Sequence, residues 1–109
     1  MSGPSLGELR HRLVLEELQR EDDEGGGFSE NWVAVAELSA VLRPIGGGES
    51  VEADRIAGRV THEIVLRYRD GVQPSMRFRK AARLFHIVSA IDLEERRRWL
   101  RCLCEEREL

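Results

Sequence analysis

The sequence predicts a mainly β fold: a small antiparallel β-barrel of about six strands with one short inserted α-helix. Three observations predict it. Short stretches along the chain alternate apolar and polar residues with period two. Glycine, proline or charged turns separate them, as in all-β domains. One stretch alone, residues 49–57, has helical spacing, and no segment repeats another. Closing such strands into a barrel removes the open edges that would otherwise aggregate.

The 109 residues fit one domain, residues 1–109. A chain of this size buries roughly two-thirds of its unfolded surface, enough for a modest core. Apolar residues make up 41% and charged residues 34%. The net charge is −3, with both signs interspersed, which argues against the basic stripe of an obligate nucleic-acid binder. Every base except Lys80 is arginine, the residue suited to planar, bidentate interface contacts. No apolar run approaches the ~18 residues of a membrane span, and the N-terminus shows no apolar signal region.

Taken in order, residues 1–8 read as a flexible N-terminal tail. Leu13 and Leu15 alternate with Val14 and Glu16 and begin the first strand. Residues 19–28 read as a mobile loop: Glu21, Asp22, Asp23 and Glu24 repel one another, and three glycines follow. The next strand, residues 28–42, is the longest. Trp32, Ala34, Ala36, Leu38, Ala40 and Leu42 share one parity and Val33, Val35 and Val41 the other, so this strand should bend and serve more than one layer. Pro44 ends its pairing because proline has no N–H.

Residues 43–58 form a hinge and helix inserted between strands. Gly46, Gly47 and Gly48 free the backbone. Ser50 can cap a helix with Ala53, Ile56 and Ala57 on one face. Glu49, Glu52 and Asp54 give it an acidic side, and Arg55 lies late, which suits the helix dipole. Gly58 then stops it. From Arg59 period two returns, with His62, Ile64, Leu66 and Tyr68 on one side. Asp70-Gly71 is a turn. A short strand around Met76 and Phe78 follows, with Ala81-Ala82 as its turn. Leu84, His86, Val88 and Ala90 alternate with Phe85, Ile87 and Ser89 in another strand. Residues 91–98 are a charged connection, and residues 99–104 the last strand. Leu13, Leu38, Leu66 and Val88 are expected in the core.

The sequence carries little catalytic chemistry. The three glycines lack the Lys-Ser or Lys-Thr of a phosphate loop. His62 and His86 share parity with core residues and read as core histidines. Cys102 and Cys104, two apart on a strand, face the same way and are poorly placed to bond; reduced, partly buried thiols are expected. No metal site, cofactor or catalytic residue is expected. Asp22 and Asp23 in the loop, and Arg96, Arg97 and Arg98 in the last connection, are possible partner contacts. The competing reading of these charges is solvated surface.

Several pieces together resemble the phage head–tail joining family, also called head-completion or stopper proteins. They are the opening Leu6-Gly7-Glu8-Leu9-Arg10-His11-Arg12, the acidic glycine-rich loop before Trp32, and Arg43-Pro44 with Gly48-Glu49. Thr61-His62, Arg67-Tyr68-Arg69 and the ending from Trp99 to Cys104 complete the set. The likeness covers nearly the whole chain in the same order. Leu38 departs from it where tryptophan is expected, and the triple glycine where Ser-Gly is usual. The resemblance implies a barrel with an insertion after the second strand. It implies a ring of copies at the virion neck, beneath portal or adaptor, assembled in the host cytoplasm. It implies contact with tail-terminator or tail proteins, transient contact with packaged DNA, no membrane and no catalysis. Arg43, Gly46, Gly47, Gly48, Glu49, Glu52, Asp54, Arg55 and Arg59 would then face the channel or a neighbouring ring. An OB-like nucleic-acid-binding barrel is the alternative; it would want a basic face with stacking aromatics, and aromatics are 6% here.

Overall fold

The computed structural model describes residues 4–45 and 59–108. The expected inserted helix and its glycine hinge lie outside the described residues. Within them the chain forms six strands: β1 (His11–Asp22), β2 (Phe28–Pro44), β3 (His62–Arg67), β4 (Arg77–Lys80), β5 (Arg83–Asp92) and β6 (Trp99–Arg107). They close in the order β1-β2-β3-β6-β5-β4, and all neighbours run antiparallel. The expected barrel is therefore present.

Period two decides what lies inside. Leu13 and Leu15 of β1, Ala40 of β2, Ile64 and Leu66 of β3, Phe78 of β4, Phe85 and Ile87 of β5, and Leu100, Cys102 and Cys104 of β6 all point inward. Met76 closes the set from the loop before β4. The two cysteines are free and fully buried, neighbours along one inward row. Burial pushes the Cys102 thiol up to about 12 and raises Cys104 further. Both are therefore inert packing groups at neutral pH.

Two bulges re-aim side chains. Leu15 pairs with Ala36 but Glu16 with Ala34, so Val35 is an extra residue in β2. Parity in β2 flips there. Trp32 and Ala34, expected on the side of Leu38, stand on the outer face instead. In β5, Ile87 pairs with Cys104 and Ser89 with Leu103, leaving Val88 as the extra residue. Val88 was expected in the core; it is half-buried against an outer cluster of Val60, Leu103 and Ile45. Leu38, also expected inside, is half-buried at the rim of the main core. Leu13 and Leu66 are buried as expected.

The stretch expected as a loop from residue 19 is strand as far as Asp22, paired residue for residue with Phe28–Asn31. The turn itself spans residues 23–27. There Asp23 accepts hydrogen bonds from the Gly25 and Gly27 N–H groups at 2.8 and 2.9 Å. Gly26 takes a left-handed φ of 86° that only glycine adopts cheaply. β1 pairs with β4 only from Val14 to Glu16, and β2 pairs with β3 only from Ala40. The remainder of β1 and β2, Glu17 onward, is a two-stranded arm that pairs with no third strand among the described residues. At ~3.3 Å per residue the arm runs about 20 Å beyond Glu16.

At the other end of the barrel, the expected tail is tied down from Ser5. Leu6–Glu8 is a 3-10 turn, and the Glu8 carboxylate accepts a hydrogen bond from Arg43 at 3.0 Å. The Ile45 N–H donates to the Thr61 carbonyl at 2.9 Å. That bond fixes the two ends from which residues 46–58 depart.

Candidate interaction surfaces

Three places on this barrel gather side chains beyond what packing needs. The first lies where β1 meets β4. Glu16 is buried, and its carboxylate accepts hydrogen bonds from Arg77 Nε and Arg79 Nε, each at 2.8 Å. The Arg77 guanidinium lies 4.0 Å from the Trp32 ring centre, and Trp32 meets His86 edge-on at 5.6 Å. Burial pushes the Glu16 carboxyl up, but the bonds from Arg79 and Arg77 outweigh it and hold it below the usual carboxylate range. His86 is held below its ordinary value by burial, aided by the charges of Arg107 and Arg77 and opposed by Glu105. This cluster was not foreseen from the sequence. The bulge at Val35 brings Trp32 over it, and nothing in a single sequence marks that bulge. His86, expected as a core histidine, belongs to this outer cluster. His62, by contrast, lies edge-on to core Phe85 at 5.0 Å, on the core side as expected though only half-buried.

The second place is the base of the insertion. Arg43 is exposed, pairing with Glu63 at 3.2 Å and Glu8 at 3.0 Å. Glu63 also pairs with Arg101. Arg59 stands 3.9 Å from Glu105. Of the residues expected to face a channel or ring, Gly46, Gly47, Gly48, Glu49, Glu52, Asp54 and Arg55 lie outside the described residues. Arg43 and Arg59 flank the departure of that segment.

The third place is the end of the barrel from which the arm projects. Between β5 and β6, Glu94, Glu95 and Arg97 take left-handed φ values of 58°, 54° and 56°. Each costs on the order of 1–3 kcal/mol and must be held. Asp92 supplies one restraint, accepting the Arg97 backbone N–H at 3.0 Å. Arg96 pairs with Glu94 at 3.7 Å. Arg97 and Arg98 line a cavity of about 320 Å³ with Arg67, Tyr68 and Trp99. A second cavity of about 360 Å³ shares Arg67 and Tyr68 and is bounded by Leu38 and Arg69. The expected contacts Arg97 and Arg98 are thus joined by Arg67 and Arg69, which the sequence does not mark as contacts. Asp22 stands exposed at the tip of the arm, whereas Asp23 is spent on its turn.

Among the described residues, no group of three or more His, Cys, Asp or Glu side chains could hold a metal ion.

Known proteins resemble this arrangement as a whole. A family model described as phage head completion protein matches residues 4–107. A chain from the virion of a native gene transfer agent particle is 29% identical, with a TM-score of 0.67; the likeness covers 93% of this chain and 97% of that one. The solution structure of protein SF1141 from Shigella flexneri 2a shares the fold at a TM-score of 0.74 and 22% identity, over 94% of this chain and 96% of that one. None of the curated proteins matches. With a match over nearly its whole length, the chain belongs to the phage head completion protein family.

Proposed function

We propose that the protein acts as a structural ring at the head–tail interface of a tailed phage, prophage or gene-transfer particle. Copies of the barrel sit beneath the portal or its adaptor, help retain packaged DNA, and dock tail-terminator or tail proteins. The role is architectural and involves no reaction. The observation that carries this reading is the family match across residues 4–107. The likeness to a chain of a gene transfer agent virion supports it.

In this reading the segment between Arg43 and Arg59 faces the channel or the neighbouring ring. Its stem is anchored by the Ile45–Thr61 hydrogen bond and by Val60, which is buried against Leu103. Carboxylates at Glu49, Glu52 and Asp54 would repel DNA phosphates, so the duplex slides past rather than sticks. The test is particle assembly without this chain, then with the triple variant Glu49→Lys, Glu52→Lys and Asp54→Lys. Heads lacking the chain should fill, lose DNA and take no tails. The variant should fold normally and restore completion poorly. Full completion without the chain would overturn the reading.

A further inference from the structure

The arm and the arginine-lined cavities are opposite in charge and occur on the same chain. The stretch from Glu17 to Glu30 holds six acids, Glu17, Glu21, Asp22, Asp23, Glu24 and Glu30, against the single base Arg20. Beside its acidic tip stands Phe28, the partner of Asp22 and 51% exposed. The apolar side chains of Leu18, Val33 and Val35 are also exposed along the arm. Charge at the tip and apolar surface along the shaft are what a protein contact needs, and among the described residues the arm's strands pair only with each other.

The cavities offer the complement. Arg69 lines the larger cavity, and its Nε is buried without a hydrogen-bond partner, so its charge is not spent on a carboxylate there. The Arg67 guanidinium lies 5.5 Å from the Trp99 ring centre, so cation and aromatic surface are presented together. The acids nearby are already engaged. Asp70 accepts from the Tyr68 hydroxyl at 2.8 Å, Asp92 from the Arg97 backbone, and Glu94 pairs with Arg96.

A closed ring needs two different, complementary patches on every subunit. We propose that these are the two: the acidic arm tip of one copy, with Phe28, docks against Arg67, Arg69, Arg97 and Arg98 of the next. This contact rests on the ring reading above and names the surfaces that make it. The occupant is a second copy because the chain itself supplies the acidic, apolar segment the cavities fit.

The test is a charge swap in the full chain, assembled on the purified portal and adaptor of its own particle and viewed by electron microscopy. One variant carries Glu21→Arg with Asp22→Arg, the other Arg97→Glu with Arg98→Glu. Each alone should lose rings, because arm and cavity then carry like charge. Mixed in equal amounts they should regain rings of alternating subunits, and that rescue also shows that both variants fold. Rings from either variant alone, or no rescue on mixing, overturn this contact while wild-type rings leave the ring reading intact. No ring from the wild-type chain overturns both. A cavity variant that fails while the arm variant assembles normally overturns the arm contact and marks the arginines as a contact with the portal or adaptor instead.

Discussion

Arg77 Nε donates to Glu16 Oε1 across 2.8 Å, between two residues that are register partners where β1 meets β4 and the barrel closes. The pair is buried on the outer wall, and Trp32 lies over it. Arg79 supplies the second bond to the same carboxylate from a more exposed position.

Removing one partner of such a pair leaves a buried charge uncompensated. Glu16→Ala should therefore cost about 3–5 kcal/mol in urea unfolding. Replacing Glu16 and Arg77 together by methionine and leucine should recover most of that loss. A single variant with an unchanged midpoint would show that the pair does not hold the seam.

The two leucines at different depths give a graded test of the core. Leu66 is fully buried, and Leu66→Ala should cost ~2–5 kcal/mol, a large share of the ~5–15 kcal/mol such domains hold. Leu38 is only half-buried at the rim, so Leu38→Ala should cost less. Equal losses in a thermal melt would contradict the placement of Leu38 at the rim of the core.

Acid should destabilise the fold in two stages. Burial is the leading cause that holds His11, His62 and His86 below the ordinary histidine value of 6.5. As pH falls below 6.5 the unfolded chain takes those protons first, so it binds more protons than the native state and stability drops. Glu16 acts lower down: its carboxyl is held below the ordinary 4.5, so its contribution is present above that pH and is lost as pH falls beneath it. Melting temperature should decline from pH 7.5 to 5, and His86→Gln should flatten the decline. A melting temperature that rises over this range contradicts the assignment.

DNA binding should be weak and independent of sequence. The net charge is −3, and both signs are interspersed along the chain, so no basic stripe follows a duplex. Fluorescence anisotropy with a labelled duplex should show affinity falling steeply as salt rises, as counterion release requires. Tight binding that persists at physiological salt would favour an OB-like nucleic-acid binder.

The barrel was legible because period two holds through β1, β3 and β4 and on either side of the bulges in β2 and β5. Leu13, Leu15, Ile64, Leu66 and Phe78 announce an inner face by alternation alone, and Ala81-Ala82 was placed correctly as the β4–β5 turn. What sequence reading missed depends on register. A one-residue bulge flips every side chain beyond it. Val35 and Val88 look like ordinary strand residues, yet they decide where Trp32, Ala90 and their neighbours point. The acidic stretch from Gln19 to Asp22 read as loop because charge dominates its composition; cross-strand pairing to Phe28–Asn31 makes it strand instead. The arginine-lined end was half visible. Arg97 and Arg98 stand out as a run, but Arg67 and Arg69 join them only once β3 and β6 pair, with Arg67 opposite Trp99.

A ring of this chain at the head–tail interface is a structure that can be seen directly. Cryo-electron microscopy of intact particles tests it most directly, at a resolution that separates six-stranded barrels. A ring of these barrels is expected beneath the portal or its adaptor, with the arm of each touching the next and residues 46–58 turned to the channel or the adjoining ring. A neck that lacks this barrel, or the barrel found only in the capsid shell, would contradict it.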